Sequence, residues 1–141
     1  MKKHNRCIQT VTTFLLLISI FCSWPGASFA AEKVQLDVLY MNHGPMRPTV
    51  AKVKALVKDF GDRVQAAWYD FDQPSGKAFM AEKKIVGHVP MLIMINGKSD
   101  FTLGQRDVKL QGFPTGAGPF KRVEGNWSLE DLKLLLEQHL R

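Results

Sequence analysis

The chain has 141 residues, with 19 Lys and Arg against 13 Asp and Glu and a formal net charge of +6. That excess gives no case for nucleic acid: beyond the N-terminus the basic residues are scattered, only Lys83-Lys84 and Lys121-Arg122 stand side by side, and no basic stripe is interleaved with aromatics. There is no internal repeat and no low-complexity segment.

Lys2, Lys3 and Arg6 precede an apolar run around Phe14 to Phe21, and Pro25-Gly26-Ala27-Ser28-Phe29-Ala30 closes it with small residues. This order predicts a secretory signal in residues 1–30, cleaved after Ala30. The strongly apolar stretch, about ten residues, is short for a membrane span. Lipidation at Cys22 is disfavoured by the bulk of Phe21 before it. Cleavage would leave 111 residues, 31–141, as a single periplasmic or secreted domain with no membrane segment. Both cysteines, Cys7 and Cys22, fall in the removed part, and three of the 19 basic residues go with them. The mature domain then has no disulfide in an oxidising compartment, and its stability must come from packing.

Val34 to Tyr40 reads as a strand internal to a sheet, since most of its positions are apolar. Asp37 within it either reaches water at the strand end or serves a site, because an unpartnered buried carboxylate is costly. Tyr40-Met41-Asn42-His43-Gly44-Pro45-Met46-Arg47-Pro48 turns the chain into a helix in which Val50, Val53, Leu56, Val57 and Phe60 recur at helical spacing up to Gly61. Val64 to Phe71 is expected to be a second strand, parallel to the first across the helix. A turn at Asp72 to Gly76 leads to a short helix over Lys77 to Ile85, ended by Gly87. Met91 to Ile95 is an apolar strand, and Asn96-Gly97 is a hairpin signal with a returning partner near Asp100 to Leu103. A further strand is expected around Val108 to Phe113. Ser128, with Asp131 three residues on, predicts the start of an amphipathic helix through Leu129, Leu132, Leu135, Leu136 and Leu140.

Gly44-Pro45 after a strand, Asp70-Phe71-Asp72-Gln73-Pro74, and Gly87-His88-Val89-Pro90 before an apolar strand and Asn96-Gly97 together resemble the thioredoxin family over the whole mature chain. The resemblance implies an α/β thioredoxin-like fold, a central mixed β-sheet flanked by helices, with Pro90 cis and packed on the 43–46 turn. It also implies that Asp37 matches the family's buried aspartate. The family's two catalytic cysteines are His43 and Met46 here, and Trp68 stands where the lysine partner of the aspartate would be. Imidazole and thioether cannot perform thiolate attack or form a disulfide, so dithiol oxidoreductase activity is not expected and no catalytic residue is assigned.

Two of the three mature histidines and two of the five mature methionines lie in the loops that such a fold brings together, as the quartets His43-Gly44-Pro45-Met46 and His88-Val89-Pro90-Met91. Singly each has a plainer reading, as a solvated turn histidine or a core methionine. Jointly, two imidazoles and two thioethers form a soft donor set suited to Cu(I). His43, Met46, His88 and Met91 are therefore the expected copper ligands, with Met41 as a substitute for Met91 and Asp37 beside them. His88 and Met91 face opposite sides unless a cis peptide bends the chain between them. The expected role is a copper carrier or chaperone. A second reading, from a different class, is a redox-inactive module that binds an extracytoplasmic protein or peptide partner by strand addition at Val89 and Pro90. Haem is disfavoured by the lack of a Cys-x-x-Cys-His motif.

Overall fold

In the computed structural model, which describes residues 32–141, the apolar run Val34–Tyr40 forms strand β1 at the middle of a three-stranded sheet. A strand covered on both faces needs apolar side chains on both, and adjacent positions point to opposite faces. Val38 accordingly packs in the larger hydrophobic cluster and Leu39 in a smaller one. Strand β2 (Val64–Asp70) runs parallel to β1, and β3 (Met91–Ile95) antiparallel on its other side. The sheet is therefore mixed, with Tyr40 opposite Asp70 in β2 and Met91 in β3.

Helix α1 (Met46–Lys58) makes the crossover that a parallel pair requires. Its Val50, Val53 and Val57 are buried in the larger cluster, each contributing about 1.5–3 kcal/mol by leaving water. Helix α3 (Leu129–His139) covers the same face through Leu132, Leu135 and Leu136. Its start is as predicted: the Ser128 hydroxyl accepts from the Asp131 N–H at 3.1 Å, and the Asp131 carboxylate from the Ser128 N–H at 2.8 Å. The other face is covered by helix α2 (Pro74–Glu82), whose Phe79 packs with Leu39, Val89 and Leu92.

Helix α2 starts before the predicted Lys77, because proline fits the first turn of a helix, where its missing N–H has no partner to lose. It ends before Ile85, where Lys84 adopts a left-handed φ of 54° that stops the helix. The expected return strand at Asp100 also differs. Asn96-Gly97 does turn the chain, through the Ile95 to Lys98 pairing, but β4 (Asp100–Leu103) pairs with β5 (Arg106–Lys109) in a separate ribbon. Asp100 and Thr102 are exposed, which suits a ribbon in water better than the edge of a buried sheet. The free edge of β3 is taken instead by residues 110–112, with Ile93 N–H to Leu110 O at 2.9 Å and Gly112 N–H to Met91 O at 2.8 Å.

The stretch 112–126 is tied back by Phe113 N–H to Val123 O at 2.9 Å and Gly125 N–H to Phe113 O at 2.7 Å. Trp127, fully buried, donates its indole N–H to Gln111 O at 3.2 Å. Among the described residues no helix is long and apolar enough to cross a membrane. The expected signal segment, with Cys7 and Cys22, lies outside the described residues.

Candidate functional site

Three chain segments converge at the C-terminal end of β1. Phe71 donates its N–H to Tyr40 O at 2.8 Å, and Met41 donates to Pro90 O at 3.0 Å. The loop after β1 and the loop before β3 are thus joined through main chain. Beyond Met41 the chain makes a tight turn in which Met46 N–H reaches His43 O at 3.0 Å, and α1 begins. His43 Nε2 lies 3.9 Å from Asp72 Oδ2, with both side chains more than half exposed. His88 meets the ring of Phe71 edge-on, with centroids 5.9 Å apart. The two imidazoles therefore flank one short segment, Phe71-Asp72.

One expectation is corrected here. No cis peptide bond occurs among the described residues, so Pro90 is trans. Trans is the intrinsically favoured form of an X-Pro bond, and the Met41 hydrogen bond joins the loops with it. Among the described residues Asp37 forms no ion pair, and Lys83, just past the end of α2, pairs with Glu82 at 2.9 Å. The Lys83 ammonium is held above the usual lysine range by its hydrogen bond to Glu82, with Asp37 adding to the effect. Asp37 is buried rather than open at the strand end, and it accepts from Gln35 Nε2 at 3.1 Å. Burial raises the Tyr69 hydroxyl, and the Asp37 charge raises it further. Trp68 stands edge-on to Tyr40 at 6.3 Å, with the Lys54 ammonium 5.0 Å above its ring.

The four expected ligands divide by environment. Met46 and Met91 are 2% and 0% exposed and belong to the larger hydrophobic cluster, and Met41 is 3% exposed. His43 and His88 are exposed. Among the described residues no three His, Cys, Asp or Glu side chains come together as a group that could hold a metal. A Cu(I) site would have to draw a thioether out of the core toward the turn.

Sequence reasoning missed the condition of the segment 86–89. None of Val86, Gly87, His88 and Val89 makes a backbone hydrogen bond among the described residues. Val89 buries its side chain with Leu39 and Leu92, whereas Val86 is 87% exposed. Beside this segment opens a cleft of about 450 Å³, lined by His88 and Pro90 together with Lys109, Gln111, Gly112 and residues 122–126. The available signal was Val86, an apolar residue after the end of the helical pattern. Nothing in the sequence pointed to residues 122–126 as a wall. Comparison of the chain with protein families, with curated proteins and with solved structures returns no match.

Proposed function

We propose that this chain is an exported thioredoxin-like domain without catalytic cysteines that holds a protein partner in extended form along residues 86–90. The observation that supports this best is the unpaired main chain of Val86 to Val89, leading directly into β3. Backbone N–H and C=O groups need partners, and a segment that finds none within its own fold offers them to water or to an added strand. Val86 supplies an apolar contact next to those groups. With no cysteine in residues 31–141, such a domain binds without reacting. The test is selection of binders from a displayed peptide library by the exported protein, followed by amide hydrogen exchange of the complex. Protection at 86–89 supports the reading, and protection elsewhere or no selected peptide refutes it.

A second reading, a copper carrier, is supported by the Met41 to Pro90 hydrogen bond, which holds the two His-x-Pro-Met loops together. In it one Cu(I) is bound by His43, Met46 and His88, with Met91 or Met41 completing the shell. Imidazole coordinates the metal in its neutral form, and thioether does so without any protonation change. Competition against a Cu(I) chelator decides it. Equal affinities for the wild type and the His43→Ala/His88→Ala variant eliminate the copper reading.

A further inference from the structure

We infer that the partner segment carries an acidic side chain, Asp or Glu, which seats in the cleft beside the 86–90 loop and is held by Arg122 and Lys109. The inference rests on the extended-partner reading and adds the chemistry of the partner. The cleft has the volume of a site for one or a few side chains, and His88 and Pro90 belong to both the loop and the cleft wall. A chain lying along the loop therefore has this cleft next to it.

The charges of the walls select what enters. Arg122 and Lys109 line the cleft. Arg122 forms no ion pair among the described residues, and its guanidinium lies over the ring of Phe120, 5.4 Å from the centroid. Among the described residues Lys109 pairs with Asp100 alone, at 3.7 Å and largely exposed. The one carboxylate on the wall, Glu124, is already engaged, by N–H groups of Gly116 and Gly118 and by Lys121 Nζ at 3.2 Å. Glu124 forms its ion pair with Lys121 and none with Arg122 among the described residues. A guanidinium can take a carboxylate in a bidentate pair, the strongest polar contact such a cleft offers.

The walls are also fixed in place. A Cβ on Gly125 would stand against Gln111 O, and one on Gly112 2.7 Å from Val123 O, so the segments 111–112 and 123–125 abut as closely as glycine allows. Asn126 fastens its wall to β5, accepting from Lys109 N–H at 2.8 Å and donating to Asp107 O at 2.9 Å. The basic residues are carried on a frame that does not need to form on binding, which lowers the ordering cost of recognition.

The probe is a library of displayed dodecapeptides selected on the exported protein, with the bound peptides then synthesised and titrated. Selected sequences should share an Asp or Glu at one position. Replacing that residue by Asn or Gln, or making Arg122→Gln in the protein, should each weaken binding roughly tenfold, and the two changes together little more than either, since both remove one charge-assisted contact. Arg122→Lys should recover part of the loss, which separates charge from misfolding. Peptides that protect the 86–89 amides but lack an acidic residue, or that bind equally to Arg122→Gln, overturn the inference and leave the extended-partner reading standing. Failure to select any peptide overturns both.

Discussion

Met41 donates its backbone N–H to the carbonyl oxygen of Pro90 at 3.0 Å, while the four residues before Pro90 make no backbone hydrogen bond among the described residues. Paired and unpaired amides therefore lie side by side at one end of the sheet. Exchange of an amide requires its hydrogen bond to open, so the Met41 amide should exchange as slowly as those of β1, and the amides of Gly87, His88 and Val89 should exchange fast. Native-state hydrogen exchange read by NMR checks this, and slow exchange at Val89 would show that the segment is already paired.

The thioethers of Met46 and Met91 lie in the hydrophobic cluster with Val38 and Ile93. Met91→Ala should cost about 2–5 kcal/mol, because a fully buried side chain leaves a cavity. Met91→Leu and Met46→Leu should each cost less than about 1.5 kcal/mol, because volume is kept. Urea denaturation measures both. A Leu variant that is fully stable yet loses Cu(I) affinity would favour the copper reading over the partner reading.

Gly76 lets α2 approach the end of β2: a Cβ there would stand 1.9 Å from Asp70 O. Backbone cannot give way as a flexible side chain can, so Gly76→Ala should destabilise by about 1–3 kcal/mol. The displaced segment would include Phe71 and Asp72, which flank the two histidines. Shifts in the imidazole resonances of His43 and His88, with His139 unmoved, are the expected spectroscopic sign.

Ser128→Ala removes the hydroxyl half of the capping box of α3 and should cost about 1 kcal/mol. Asp131→Ala removes the reciprocal half and also the pair with Arg106, whose guanidinium joins the helix to β5. Arg106 is half exposed, so solvent screens that pair, and the total should be roughly 1–3 kcal/mol. Thermal or urea unfolding of the two variants should rank Asp131→Ala below Ser128→Ala; the reverse order would contradict the assignment.

The Glu124 carboxyl is held below its usual range, first by the N–H of Gly116 and then by Lys121. A group with a depressed folded pKa stabilises the fold fully above its unfolded value, near ~4.3, and loses that contribution as pH falls through the folded value. The stability gap between wild type and Glu124→Gln should therefore be largest near neutral pH and shrink below about pH 4. A gap that stays constant from neutral pH down to strong acid would contradict this.

Much of the architecture was legible because it is local. The apolar run of β1, the 3.6-residue spacing of Val50, Val53 and Val57, and Ser128 with Asp131 each act within a few residues, and each forms the predicted element. Where a boundary moved, as at Pro74 and Lys84, the cause was still local chemistry that the hydrophobic pattern does not carry. The sequence also determined that residues 31–141 hold no thiol and that His and Met gather in two loops. Only tertiary structure decided what those loops are. The Met41 to Pro90 hydrogen bond joins residues 49 positions apart, and residues 110–112 take the sheet edge expected for Asp100 to Leu103. Packing against α1, α3 and the sheet drew both methionines inside and left both histidines outside. The same long-range pairings bring residues 122–126 into one cleft with His88 and Pro90. Such pairings depend on competition among all edges and faces at once, which no local pattern in the chain records.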